Sequence, residues 1–361
     1  MLWPHARIRH ARNVEILERV AAARRETPES EAWLGLLEAA FGESEDGAPW
    51  AAGVPRPAAD RPVKAPVLSH TEITLDGRAA RDWVRRLLKL TPTVNPRRID
   101  GLALLEAAVC HDDARLDALA AAGGGGVEPH ALRVLGQMAA LPLLQACGRE
   151  LASELPATWW EGYCPLCGAW PVVAEYTGLE RKRQLRCGRC GTGWAIPLLR
   201  CVFCDETEHD HLGYLTPEAG EQTRKIEICH TCKGYVKAVT TVRPLAPWAV
   251  LLDDLTTVPL DVAALERGYR RPDRPGYPIE ARIAERPPMR GWWRLVEVGG
   301  GRSARMRREG RRAGPPRRDL PGTPRRPRCV GGEKAAAQAR HDAGRDRVDH
   351  EAGAARARGR R

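Results

Sequence analysis

The chain has 361 residues, 43% of them hydrophobic and 29% charged, enough for two or three packed domains. It contains no apolar run of about eighteen residues, which excludes a membrane-spanning helix. The basic N-terminal segment lacks the apolar stretch of a secretory signal, so a cytoplasmic location is expected. The formal net charge of +11 sits in the tail: residues 299–361 hold 19 Lys+Arg against 7 Asp+Glu, leaving the first 298 residues at −1. A body this balanced argues against a nucleic-acid-binding core.

Residues 1 to about 155 read as helical. Thr27-Pro28-Glu29 has the form of a helix start, and the segment after it puts Trp33, Leu36, Leu37 and Ala40 on one face. Prolines between Gly47 and Pro66 forbid a regular helix and predict a loop over the surface. Helical spacing returns with Ala80, Val84, Leu87 and Leu88, then over 100–122 and 129–155, with Gly123–Gly126 as the turn between the last two. Cys110 and Cys147 lie in these helical patterns as small buried hydrophobes, and His111-Asp112-Asp113 reads as a solvated face. From Trp159 onward the texture changes to short apolar segments, 171–176, 184–187, 193–201, 225–229 and 235–242, between Gly- and Cys-containing turns. A closing helix is expected over 253–269, capped by Asp253 or Asp254, with Pro259 as a point of division. Beyond about Arg271 the pattern weakens, and the Arg/Gly/Pro/Ala composition beyond Gly299 predicts a disordered tail.

Eight of the eleven cysteines fall into four C-x2-C pairs: Cys164/Cys167, Cys187/Cys190, Cys201/Cys204 and Cys229/Cys232. Each pair presents two thiolates from one tight turn, half of a tetrahedral shell, so four pairs make two closed four-sulfur sites. Pairing neighbours gives loops of 19 and 24 residues, each long enough for a β-hairpin, with a 10-residue joint between two similar modules. Pairing the second knuckle with the third, the outer two closing around it, is also open to this spacing. Tetrahedral sulfur suits zinc or a single iron. His209, His211 and His230 are spare ligands needed only if a cysteine were missing. The chain has no G-x-S-x-G, G-x-G-x-x-G, P-loop or H-E-x-x-H motif. A closed sulfur shell leaves no position for substrate or water, so no catalytic residue is assigned and the protein is not expected to be an enzyme.

Around the knuckles the sequence resembles the formate dehydrogenase accessory protein FdhE family. The likeness rests on C-P-L-C-G at Cys164–Gly168 with Pro171, R-C-x2-C-x3-W at Arg186–Trp194, R-C-x2-C at Arg200–Cys204 and C-x2-C-x2-Y-x-K at Cys229–Lys237. It continues into Asp253–Leu255 and Gly268-Tyr269. It spans roughly residues 60–271, and the chain departs from the family pattern by running ninety residues past that point. The resemblance implies an α+β chain: a helical domain (1–157), two rubredoxin-like modules (158–198 and 199–271, the second with its closing helix) and an atypical tail (272–361). It also implies a maturation factor that binds the immature catalytic subunit of a formate dehydrogenase. Two metal ions are expected on the eight cysteines, iron in preference to zinc, with no nucleic acid and no membrane insertion; a homodimer is left open. The rivals are a rubredoxin-like electron carrier and a zinc-ribbon nucleic-acid binder. The second would use Arg181–Arg183, Gln184 and Arg186 as a basic patch with Trp194 nearby.

Overall fold

The computed structural model describes residues 3–91, 94–123, 128–217 and 223–287. The apolar periodicity of the first half becomes α1 (Trp3–Glu26), α2 (Glu31–Asp46), α3 (Ala48–Ala51), β1 (Thr71–Leu75), α4 (Gly77–Leu88), α5 (Gly101–Val109), α6 (Asp113–Ala122) and α7 (Pro129–Glu150). A helix surrounded by others must be apolar on every side. α7 is the helix of that kind here: Leu135, Ala139, Leu143, Leu144 and Cys147 are buried, and α2, α4, α5 and α6 pack around it. Asp76 and Asp100 start α4 and α5, their carboxylates accepting the N–H groups two and three residues on.

Three local expectations change. The Thr27 hydroxyl donates back to the Ala23 carbonyl at 2.9 Å, closing α1 instead of capping the next helix, and Pro28 opens a 3-10 turn. Trp33 is 41% exposed, while Leu36, Leu37 and Ala40 are buried. The helix expected over 100–122 breaks at His111, whose φ of 57° cannot continue it, and Asp112 caps α6 by accepting from the Arg115 N–H.

The second half supplies β2 (Val173–Thr177), β3 (Lys182–Arg186), β4 (Gly193–Ala195), β5 (Leu212–Leu215), β6 (Arg224–Cys229), β7 (Tyr235–Thr241), α8 (Pro247–Thr256), α9 (Val258–Glu266) and β8 (Ala281–Glu285). Knuckle, strand, strand, knuckle, strand occurs twice in this order, so β2, β3 and β4 correspond to β5, β6 and β7. The two halves are not separate modules. They share one sheet ordered β4-β3-β2-β7-β6-β5, in which the last strand of the second half lies parallel to the first strand of the first half, Val173 opposite Lys237 through Thr177 opposite Thr241. Three short strands alone would leave two open edges; this pairing removes one edge from each half.

Buried ion pairs hold the shared sheet. Glu175 on β2 is fully buried and accepts from Arg186 on β3, from the Thr241 hydroxyl at 3.1 Å and from the Leu245 N–H at 2.6 Å. Arg183 on β3 reaches across to Glu227 on β6, which also takes the Tyr176 hydroxyl hydrogen bond at 2.5 Å. Lys237 on β7, 2% exposed, contacts Asp254 and Asp261 at 2.7 Å each, and Arg271 closes the same cluster. Of the basic patch drawn from Arg181–Arg183, Gln184 and Arg186, the Arg183 and Arg186 guanidiniums are consumed inside the fold, while Arg181 and Lys182 stay exposed. Asp253 and Asp254 likewise do not cap a helix. α8 begins earlier, at Pro247, and the aspartates at its end face Arg224 and Lys237. The chain divides at Thr257, next to Pro259.

The segment after Arg271 also differs from expectation. β8 pairs in parallel with β1, from Thr71 opposite Ala281 to Leu75 opposite Glu285. Ile279 and Ala281 are buried, and the Cys110 thiol lies 3.2 Å from the Ala281 carbonyl. This pairing joins residues more than two hundred positions apart, so nothing local in the sequence announces it. Of the tail expected over 272–361, residues 288–361 lie outside the described residues. Ending the chain at Arg271 removes β8 and the burial of Ile279, a loss of roughly 2–3 kcal/mol for that side chain alone. The expected outcome is a melting temperature lower by at least several degrees in thermal denaturation.

Candidate metal centres

The four knuckles share one backbone design. In each, the residue after the second cysteine has a positive φ: Gly168 (75°), Gly191 (75°), Asp205 (63°) and Lys233 (57°). This left-handed residue turns the chain so that the N–H of the first cysteine meets the carbonyl five residues on, as in Cys164 to Ala169 (2.8 Å), Cys187 to Thr192 (2.9 Å), Cys201 to Glu206 (2.8 Å) and Cys229 to Gly234 (2.9 Å). Backbone N–H groups two residues beyond a cysteine then point at its sulfur: Arg189 to Cys187 (3.4 Å), Phe203 to Cys201 (3.5 Å) and Gly234 to Cys232 (3.3 Å). Such donors stabilise thiolate charge.

All eight cysteines fall into two groups, Cys164, Cys167, Cys187 and Cys190 in one, and Cys201, Cys204, Cys229 and Cys232 in the other. The alternative that paired the second knuckle with the third is not the arrangement present. Within each group the four sulfurs lie within 4.8 Å of one another. Sγ–Sγ contacts are 3.5 Å for Cys164–Cys190 and Cys167–Cys187, 3.7 Å for Cys201–Cys232 and 3.8 Å for Cys204–Cys229. A tetrahedron with metal–sulfur bonds of about 2.3 Å has edges of about 3.8 Å, so both groups fit a single zinc- or iron-sized ion. The cysteines are free thiols, not disulfides. Neighbouring cysteines pull one sulfur in each group toward the thiolate. Hydrogen bonding from Cys201 draws Cys232 down to about 5 against its burial. Burial works against Cys187, yet hydrogen bonds from Cys164, Cys167 and Cys190 hold it well below an ordinary thiol.

The surroundings of the two groups differ. The first is sealed: its cysteines are 0–2% exposed. The Pro-rich segment crosses it and donates from Val67 and Leu68 N–H to the Pro165 and Leu166 carbonyls, at 2.8 and 3.0 Å. α7 passes so close that a Cβ on Gly148 would collide with the Cys190 carbonyl. The C-terminal return closes another side, with the Tyr277 N–H donating to the Gly168 carbonyl at 2.9 Å. His111, taken in sequence for a surface residue, belongs to this wall. Its Nε2 is 2.8 Å from the Cys167 carbonyl, and Arg189 reaches both His111 and the Ala108 carbonyl. Burial, and then the Arg189 charge, push the imidazole down to about 3, so it stands neutral. The helical spacing of the sequence runs through His111 without a break, so no sequence signal marks it.

The second group is open on one side. Cys201 and Cys229 are buried, Cys232 is half-buried and Cys204 is exposed. Phe203 stacks edge-on against Trp170, with ring centroids 5.1 Å apart, anchoring this knuckle to the first half. Glu206 ties the third knuckle to the fourth. It accepts from the Thr231 hydroxyl at 2.6 Å and from the Thr207 and Glu208 N–H groups at 3.0 Å, and it meets His211 Nδ1 at 3.0 Å. None of the spare histidines is among the clustered ligands: His209 lies against Asp210, and His230 Nδ1 meets the Tyr269 hydroxyl at 2.9 Å.

Two closed four-thiolate knuckle pairs on one sheet, set against a helical domain, define a cysteine-knuckle protein with room for two ions and no free coordination position. Residues 199–274 match the family model described as FdhE, C-terminal domain. The FdhE homolog of Edwardsiella ictaluri is 30% identical over 200 residues, 52% of this chain and 63% of that protein. The homolog of Aquifex aeolicus is 32% identical over 119 residues, 32% of this chain and 41% of that protein. That of Stutzerimonas stutzeri is 38% identical over 112 residues, 30% of this chain and 35% of that protein. The crystal structure of the FdhE protein from Pseudomonas aeruginosa aligns with a TM-score of 0.47 at 22% identity, over 73% of this chain and 93% of that one. The chain is thus similar to FdhE proteins over its knuckle region, and its matches cover less than two thirds of those curated relatives' own length.

Two substitutions probe the shared turn. Gly168→Ala places a Cβ against the Tyr277 carbonyl in a left-handed residue and should cost about 2 kcal/mol or more. Lys233→Gly relieves the same backbone cost and should gain about 0.5–1 kcal/mol in urea unfolding. The Glu206 carboxylate provides a pH test. The Thr231 hydroxyl first, then the Glu208 N–H and His211, hold it at about 2 against an ordinary 4.5. A depressed carboxylate stabilises the fold above its ordinary value, and that contribution is lost as pH falls through the depressed one. In metal-free protein, the stability gap between wild type and Glu206→Gln should be full above about pH 4.5 and gone near about pH 2.

Proposed function

We propose that the protein is an accessory factor for a formate dehydrogenase: it binds the immature catalytic subunit in the cytoplasm and carries out no chemistry on formate itself. The observation that carries this reading is the closed four-sulfur geometry of both cysteine groups in a chain similar to FdhE proteins. A shell completed by protein thiolates gives an ion a shape-holding or redox role and leaves no position for a substrate. Each group holds one metal ion, iron in preference to zinc, as the family resemblance implies. The burial of Arg183 and Arg186 supports the absence of nucleic acid among the partners. The electron-carrier reading draws on one observation, the exposure of Cys204, which would bring a single iron near a redox partner.

Deleting the gene should abolish formate oxidation without lowering transcription of the dehydrogenase genes, and the full chain supplied in trans should restore it. A tagged chain should retain the catalytic subunit of the dehydrogenase from extract. Normal formate oxidation in a deletion strain with no second copy of the gene would overturn the reading and favour the electron carrier. Protein purified without oxygen should contain two metal equivalents, and after oxidation with ferricyanide it should show the strong visible absorption of ferric thiolate. Cys167→Ser and Cys232→Ser should each lose about one equivalent.

A further inference from the structure

Different parts of the chain wall the first cysteine group: the Pro-rich segment, α5 through Ala108, the turn after it through His111, α7 through Gly148, and the return at Tyr277. Reaching a sulfur there requires opening the seam between the helices and the sheet, a sub-global event. The second group is covered by Gly162 against Val202, by Trp170 on Phe203, by the Arg270–Lys233 backbone bond and by the Glu206–Thr231 link, yet its Cys232 is half-buried and its Cys204 stands exposed at the end of the third knuckle. A ligand exchange that begins at Cys204 needs no rearrangement of the core. Thiol reactivity and ligand exchange both follow access of this kind.

We infer that the two centres are functionally unequal: the first is a permanent staple of the fold, and the second is an exchangeable centre whose ion enters and leaves by way of Cys204 and Cys232. The chemistry suited to it is a soft divalent ion passed to or from a thiolate-bearing donor or acceptor. This inference rests on the reading that both groups hold a metal. The internal repeat sharpens the contrast, since both groups have the same knuckle geometry and the same four donors. What separates them is cover, not coordination.

The test uses the full chain loaded with zinc to two equivalents and then mixed with an excess of a chromogenic chelator. The expected record has two phases of one equivalent each, the first at least about tenfold faster, because release from the sealed centre waits on local opening. Cys204→Ser should remove the fast phase and leave the slow one. Independently of any variant, timed alkylation of the loaded wild type read by mass spectrometry should mark Cys204 and Cys232 before any of Cys164, Cys167, Cys187 or Cys190. Two equivalents leaving in a single phase, or first-group cysteines labelled together with Cys204, would overturn this inference alone. Binding of fewer than two equivalents would overturn it along with the two-metal reading.

Discussion

Four thiol groups lie withdrawn from water where the helical bundle, the sheet and the C-terminal return meet, and the molecule is arranged around keeping them there. Sulfur that must carry negative charge is costly to bury unless a cation and directed N–H groups offset it. The first cysteine group has the Arg189 N–H aimed at a sulfur, and its Sγ spacing suits one ion. It also belongs to the main hydrophobic core, with Cys147, Leu166 and Trp159 in the same cluster. The helices and the sheet therefore share one interior, and the cysteine site is the joint between them.

The shared sheet adds a second layer of dependence. Its centre is polar, and each buried cation there has an acidic partner on a neighbouring element: Arg186 with Glu175, Arg183 with Glu227, Lys237 with Asp254 and Asp261. Replacing such pairs with apolar side chains can be neutral, but removing one partner strands the other at a cost of about 3–5 kcal/mol. These pairs fix which strand lies beside which. Arg183 meets Glu227 only if β2 and β7 are adjacent and parallel, so the pair reads out the correct docking of the two halves.

Much of this was legible in the sequence, and the part that was not has a common cause. The four knuckles, their eight cysteines, the amphipathic face of α4 and the strands at β2, β3, β6 and β7 follow from spacing that repeats over a few residues. His111, β5, β8 and the early start of α8 do not, because long-range partners decide each of them. His111 looks solvated until Arg189 and the Cys167 carbonyl are placed beside it. Arg183 and Arg186 look like a basic patch until Glu227 and Glu175 arrive from other strands. Charge read along a chain says what must be neutralised, while the partner comes from the fold.

The order in which the chain pairs with itself bears on how it is made. β2 emerges from the ribosome early, yet its parallel neighbour is β7, the last strand of the repeat, and β1 waits still longer for β8. Loop closure over such distances is slow, and strands awaiting a partner expose pairing edges meanwhile. The helical core can form during synthesis, whereas the six-stranded sheet waits for Thr241 and the return that covers the first cysteine group waits for Tyr277. A nascent chain thus passes through a period in which its knuckles are formed and its sulfurs are still open to solvent, the interval in which an ion is most readily captured.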